Sequence, residues 1–141
     1  MLIGTGAKLG VNPAILGGLA SNFEETIREF VGGWSFAESA ERGLIEEGVK
    51  QMLMCKPDIA LADFRACSEF DIRESVSNIR VPTLIIAGDQ DRLTPLKWSN
   101  YLHEKIASSE IAVIKGAGHM AMMEKAEEVN NQLTSLMRKS A

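Results

Sequence analysis

Two acidic residues and one histidine follow successive apolar runs in the second half of the chain. Asp89 and Asp91 come directly after a run that ends at Gly88, and His119 closes the loop sequence that begins at Gly116. A carboxylate that holds an imidazole in one tautomer lets that imidazole take a proton from a nucleophile. An acid and a histidine in this arrangement are two of the three members of a nucleophile–base–acid triad.

The same residues also fit structural roles. Asp91 lies where a turn or a helix cap is expected, and His119 fits an ordinary loop histidine. The other histidine, His103, lies in the middle of a predicted helix. The pairing favours the functional interpretation, because the carboxyl ends of successive parallel strands meet at one edge of a sheet, where α/β proteins place their chemistry.

Short strands are predicted to position these residues. Thr83–Ala87 is apolar enough for a strand buried on both faces, and Glu110–Lys115 is the next strand. Met1–Ile3 has the composition of a third strand, but it is shorter than most. Thr94 as N-cap and Pro95 at the first helical position predict a helix directly after the acids.

Between the first two predicted strands, the spacing of apolar residues is helical. Asn12 followed by Pro13 predicts one helix start, and Ser21–Glu24 forms a capping box that predicts another. Ser35–Glu38 repeats that start signal, and Pro57 marks a further start. The segment is therefore expected to be all-helical.

The order of elements predicts an α/β fold. Strand, helices, strand, helix, strand and helix in sequence imply a short parallel sheet with crossover helices, and the last helix is predicted to run from Met122 to about Lys139. We divide the chain into a strand stub with its loop at residues 1–11, a helical segment at 12–78, and the rest of the core at 79–141.

Composition excludes several classes of function. Of 141 residues, 45% are hydrophobic and 24% charged, which is typical of a globular domain, and the net charge of -4 argues against nucleic acid or anionic membrane as a partner. No apolar run approaches the roughly 20 residues of a membrane span. The chain begins without a basic and apolar leader, so a cytoplasmic location is expected.

Neither a cofactor nor a metal is expected. The glycines Gly4, Gly6 and Gly10 have the wrong spacing for a dinucleotide fingerprint and follow only a strand stub. Cys55 and Cys67 lack the C-x-x-C spacing of a metal or redox site and fit reduced thiols.

The second half of the chain resembles the C-terminal half of an α/β-hydrolase of the cap-bearing esterase, lipase and haloperoxidase-like kind. The resemblance rests on V-P-T-L-I-I-A-G from Val81, on the following D-x-D-x-x-x-P, and on G-A-G-H, which ends at His119. It implies that Asp91 is the triad acid, that His119 is the base, and that Glu124 holds the place of a family glutamate. The helical segment then corresponds to the cap over the acyl side of the pocket.

One part of the family pattern is missing from this sequence. The nucleophile of the family lies in a G-x-S-x-G elbow, and the 141 residues contain no such pentapeptide. The flanking glycines of an elbow are also missing around the other candidate nucleophiles, which are Cys55, Cys67 and Ser68. We therefore expect a C-terminal hydrolase fragment that carries acid, base and cap without the nucleophile and has little activity alone. The alternative is a non-catalytic fragment of the same fold that binds a partner or ligand.

The expected substrate is a small ester-like molecule in a largely apolar pocket, although helix packing also explains most of the apolar residues in question. The candidate lining residues are Trp34, Phe36, Met52, Met54, Phe64 and Met120. A short parallel sheet would leave apolar surface and a strand edge uncovered, which predicts a homo-oligomer, most simply a homodimer.

Overall fold

The structure, a computed structural model, describes the backbone of residues 1–140 and the side chains of residues 1–139. It contains three strands and seven α-helices within those residues. In chain order these are β1 (Leu2–Ile3), α1 (Pro13–Ser21), α2 (Phe23–Phe30), α3 (Arg42–Leu53), α4 (Pro57–Glu69), β2 (Thr83–Gly88), α5 (Leu96–Lys105), β3 (Ser109–Ile114), α6 (Ala121–Glu124) and α7 (Ala126–Ser140). A π-helical turn at Val31–Ser35 follows α2, and a 3-10 turn at Val76–Asn78 precedes β2.

The three strands form one parallel sheet in the order β1-β2-β3. β2 and β3 pair along their whole length, from Thr83 opposite Ser109 to Gly88 opposite Ile114. All six residues of β2 are buried, because the strand is central and is covered on both faces. The predicted α/β class, with a short parallel sheet and crossover helices, is confirmed.

Alternate residues of β2 enter two separate cores. Leu84 and Ile86 pack with Ile114 and with Val129 of α7 on one face. Ile85 packs with Leu102 of α5 on the other face, in a cluster that also contains Ile106 and Val76. This two-residue alternation follows from the strand geometry, and each such buried aliphatic side chain stabilises the fold by about 1.5–3 kcal/mol.

Helices α1 to α4 lie between β1 and β2 and share a third core. Leu19, Ile27, Val31, Phe36 and Val49 are its buried members. Phe30 and Phe64 meet edge to face there, with ring centroids 5.1 Å apart. None of the helices within residues 1–140 combines the length and apolarity needed to cross a membrane.

Two of the predicted helix starts in this segment are wrong. Ser21 ends α1, where its hydroxyl donates to the Gly17 carbonyl, and Asn22 is the N-cap of α2. Ser35 lies at the end of the π-helical turn, where its hydroxyl donates to the Phe30 carbonyl, so α3 begins only at Arg42. In both places a local bond back to the preceding turn replaces the expected cap.

Two further boundaries differ in the second half of the chain. Pro95 is the N-cap of α5 and not its first residue, because the Thr94 hydroxyl donates to Asp91 instead of capping the helix. The predicted last helix is two helices, since Lys125 has non-helical backbone angles (φ -137°, ψ 51°) and separates α6 from α7.

Replacing Gly88 by alanine is expected to destabilise the fold, because an added Cβ would overlap the carbonyl oxygens of Ala117 and Gly118. Backbone atoms cannot rotate away, so the free energy of unfolding should fall by roughly 2 kcal/mol or more. Gly17→Ala is the control: no atom lies within 4 Å of its added Cβ, and alanine favours the helix. Urea denaturation of both variants measures the difference, and wild-type stability of Gly88→Ala would contradict the prediction.

Candidate functional site

The Asp91 carboxylate is buried at the carboxyl end of the sheet, in the turn between β2 and α5. The residue is 5% exposed. Its Oδ1 accepts hydrogen bonds from the backbone N–H groups of Leu93 (2.9 Å) and Thr94 (2.8 Å), and its Oδ2 accepts from the Thr94 hydroxyl (2.7 Å). These donors replace the water that a carboxylate loses on burial.

His119 lies in the loop after β3 and reaches the same carboxylate. Its Nδ1 lies 2.9 Å from Asp91 Oδ2 and 3.3 Å from the Thr94 hydroxyl oxygen. Because the Thr94 proton is donated to Asp91, the hydrogen-bond pattern assigns the imidazole proton to Nδ1, from which it is donated to the carboxylate. The Nε2 atom then keeps its lone pair, as a proton acceptor requires.

Opposing effects act on the pKa of Asp91. Burial tends to raise this pKa, but the hydrogen bonds from His119 and Thr94 and the charge of His119 outweigh it, so the pKa lies below its ordinary value. Asp91 is therefore ionised at neutral pH. An ionised carboxylate stabilises a positively charged imidazole beside it.

The other acid of the turn, Asp89, has a different position. It is exposed, and its Oδ1 accepts a hydrogen bond from the Gly116 N–H at 2.7 Å. Gly116 has a φ of +69°, a conformation that glycine adopts without strain. Asp89 thus joins the turn after β2 to the turn after β3, while Asp91 alone of the two acids contacts the imidazole.

Glu124 connects the His119 loop to the helical segment. Its Oε1 accepts from the Gly118 N–H, and its Oε2 accepts from the Ala37 N–H, both at 2.9 Å. Met120 N–H also donates to the Ser35 carbonyl at 3.1 Å. The resemblance placed a family glutamate at Glu124 without giving it a task, and only the fold reveals these two partners.

Arg92 makes the corresponding connection from the Asp91 turn. Its guanidinium donates to the carbonyls of Gly33 (2.6 Å) and Phe36 (3.4 Å) and lies 5.5 Å from the centroid of the Trp34 ring. The turn of the acid and the loop of the histidine therefore contact the same stretch of chain, residues 33–37. Sequence reasoning missed Arg92, although its position next to Asp91 was a signal.

A cavity of about 830 Å³ opens beside His119, between the helical segment and the sheet edge. Five of the six predicted lining residues border it: Trp34, Phe36, Met52, Phe64 and Met120. Met54 does not, because it is 74% exposed at the end of α3, and that expectation was wrong. Sequence reasoning also missed Ile15, Phe30 and Cys67 in the lining. Cys67 lies in the last turn of α4, so it is not at a strand-to-helix turn.

The fold and the site geometry agree with a comparison against protein families. The model of an α/β-hydrolase family described as TAP-like protein matches residues 61–141, more than half of the chain. The chain belongs to the α/β-hydrolase family. The resemblance seen in the sequence is thus confirmed at the level of the family, and the residues matched include the whole of β2, β3 and their loops.

Similar proteins include esterases and a receptor. A pimeloyl-[acyl-carrier protein] methyl ester esterase of Vibrio atlanticus is 26% identical over 138 residues, which are 92% of this hydrolase chain and 53% of the relative. The solved structure of a thermophilic esterase is 37% identical, with a TM-score of 0.84 over 97% of this chain and 54% of that protein. Karrikin insensitive 2 receptor IA of Petunia hybrida is 31% identical over 59% of this chain and 31% of the receptor. The chain spans about half the length of these two esterases.

Asp91→Asn should reduce stability in a pH-dependent manner. Because the pKa of Asp91 is lower in the folded chain than its ordinary 3.8, its stabilising effect is complete well above that pH and is lost as the pH falls through the folded value. We expect a loss of roughly 2 kcal/mol at neutral pH, from the charged hydrogen bonds removed. Urea denaturation of both proteins between about pH 4 and about pH 2 should show this difference shrinking as the carboxylate becomes protonated, and a difference that stays constant over this range would contradict the assignment.

Glu124→Gln should loosen the contact between the His119 loop and residues 33–37. Glutamine offers one acceptor oxygen where the carboxylate has two, so one of the two N–H groups loses its partner. Hydrogen exchange of the amide that loses its acceptor, at Ala37 or Gly118, should accelerate roughly tenfold, while the amides of β2 stay protected. Glu127→Gln, on the exposed start of α7, is the matched control. Unchanged exchange at both amides would show that Glu124 does not hold the loop.

Proposed function

We propose that this α/β-hydrolase chain supplies the acid, the base and the cap of an ester-hydrolysing site. Asp91 is the acid and His119 is the base. The hydrogen bond of 2.9 Å between Asp91 Oδ2 and His119 Nδ1 is the observation that carries the proposal. It is supported by the esterases among the similar proteins, which themselves are about twice as long as this chain.

In the proposed mechanism, His119 acts through Nε2. It takes the proton from a nucleophile as that nucleophile attacks the ester carbonyl, and it then gives the proton to the departing alcohol. In the second half of the reaction it activates water in the same way, and the acid product leaves. Asp91 remains ionised throughout, holds the imidazole in the Nδ1–H tautomer, and stabilises the imidazolium that forms in each half.

The nucleophile is proposed to come from a part of the hydrolase fold that these 141 residues do not contain. The supporting observations are the lack of a G-x-S-x-G elbow in the sequence and the coverage of only about half of each esterase compared. Helices α1 to α4 are proposed as the cap, because they cover the cavity beside His119 with apolar side chains.

Binding without catalysis is the second candidate, and the receptor among the similar proteins favours it. Against it stands the buried, ionised Asp91, since a cavity that only binds a ligand does not require an oriented imidazole.

Association of the chain is also still a proposal. Its support is that β1 and β3, within the described residues, each pair with β2 alone and leave one edge unpaired.

The role of Asp91 can be tested by ¹⁵N NMR of the histidine side chains, which distinguishes the two neutral tautomers of an imidazole. The wild-type chain should show His119 protonated at Nδ1, and Asp91→Asn should convert a large share of it to the Nε2–H tautomer. Asp89→Asn is the matched control, because Asp89 contacts Gly116 and not the imidazole. It should leave the His119 spectrum unchanged.

Two outcomes would contradict the proposal. An unchanged His119 tautomer in Asp91→Asn would remove Asp91 from the role of the acid. Turnover of p-nitrophenyl acetate by the purified chain, abolished in His119→Ala, would show that the nucleophile lies within these residues.

A further inference from the structure

The cavity beside His119 is lined by more positive than negative side chains, although the chain as a whole is acidic. The sequence has 15 lysines and arginines against 19 acidic residues. Among the described residues, the lining of this cavity contains three cations, Lys8, Arg92 and Lys97, and one acid, Asp63. The net charge of the lining side chains is therefore opposite in sign to that of the whole molecule.

The three cations differ in their partners. Lys8 pairs with Asp71 at 3.3 Å, and Arg92 is committed to the carbonyls of residues 33–37. The Lys97 Nζ lies 5.8 Å from the centroid of the Trp98 ring, and no carboxylate of residues 1–139 lies within ion-pair distance of it. Lys97 is therefore a cation at the cavity whose charge is not balanced by an acid among the side chains that the structure describes.

Lys97 and Lys8 both line the cavity. Their chain neighbours are in close contact, since an added Cβ at Gly6 would lie 3.0 Å from the Trp98 Cβ. The side of the cavity that the helical segment forms is apolar and includes Ile15, Phe30 and Phe64. A ligand that fits both features has an apolar chain and a negative end.

We propose that the cavity binds esters whose acyl chain ends in a carboxylate, with the carboxylate at Lys97 and the ester group beside His119. This proposal rests on the proposed function and specifies its substrate class. Arg92 adds to the positive charge around the cavity, which attracts an anion, whereas Asp63 opposes it. Lys97 is exposed, and one ion pair at an exposed site improves affinity by roughly fivefold or less.

The test uses two ligands of the same shape and different charge, monomethyl suberate and its neutral primary amide. Both tryptophans of the chain, Trp34 and Trp98, line the cavity, so intrinsic fluorescence reports binding without any turnover. The wild-type chain should bind the monoester several-fold more tightly than the amide, and added salt should reduce this preference.

Lys97→Gln should remove most of the preference by weakening binding of the monoester alone. Lys105→Gln is the matched control, because Lys105 is on the same helix and lies 5.6 Å from the Tyr101 ring centroid but does not line the cavity. It should keep the wild-type preference. Asp63→Asn should strengthen binding of the monoester and leave the amide unchanged.

Other outcomes would contradict either the substrate class or the assignment of the cavity as the ester site. Equal binding of monoester and amide by the wild-type chain, or equal effects of Lys97→Gln and Lys105→Gln, would refute the anionic substrate class and leave the proposed acid and base untouched. No fluorescence response to either ligand would refute this inference and also the assignment of the cavity as the ester site, whereas the tautomer experiment tests Asp91 and His119 independently.

Discussion

The site depends on the parallel pairing of β2 with β3. Because Gly88 lies opposite Ile114, the two strands end at the same level and their following turns begin side by side. The Asp89 N–H continues the ladder to the Ile114 carbonyl, Gln90 N–H reaches Ala117, and the Asp89 carboxylate closes the contact at Gly116. The two turns are joined by these bonds before Asp91 and His119 are reached, which explains why residues 28 positions apart come within hydrogen-bond distance.

Burial of a carboxylate at this edge is costly unless donors surround it. Asp91 receives two backbone N–H groups, a hydroxyl and an imidazole, so both of its oxygens are fully used. Three of these four donors come from the turn that carries Asp91 itself. The carboxylate is therefore already oriented by local structure, and the imidazole is added to a preformed acceptor instead of creating it.

Much of this arrangement could be predicted from the sequence. The apolar run of β2 and the position of the acid and histidine after successive strands led to the α/β class and to the pairing of Asp91 with His119. The first residues of several helices could not be predicted in this way. The hydroxyl groups of Ser21, Ser35 and Thr94 donate hydrogen bonds to nearby groups instead of capping the helices that their residue types suggest.

The error at Met54, the omission of Arg92 and the unforeseen contacts of Glu124 have different physical causes. Met52 and Met54 are two residues apart, and a helix turns about 200° over that distance, so both could not face one cavity. That error was avoidable from spacing alone. The partners of Arg92 and the Ala37 partner of Glu124 are backbone groups of residues 33–37, far away in sequence and independent of side-chain type, so no pattern in the sequence marks these contacts.

Residues 33–37 therefore connect the cavity to the geometry of the acid and base. Arg92 follows Asp91 directly, Glu124 holds Gly118 next to His119, and both bind this one stretch of chain at the end of the π-helical turn. Gly118 allows the closest approach, since an added Cβ would lie 2.5 Å from the Ala37 nitrogen. Moving the stretch outward would break the Arg92 and Glu124 bonds and that of Met120 to Ser35, each worth about 1 kcal/mol or somewhat more. The helical segment cannot shift at this point without releasing the loops of both residues, so the shape of the cavity and the orientation of His119 are set by the same contacts.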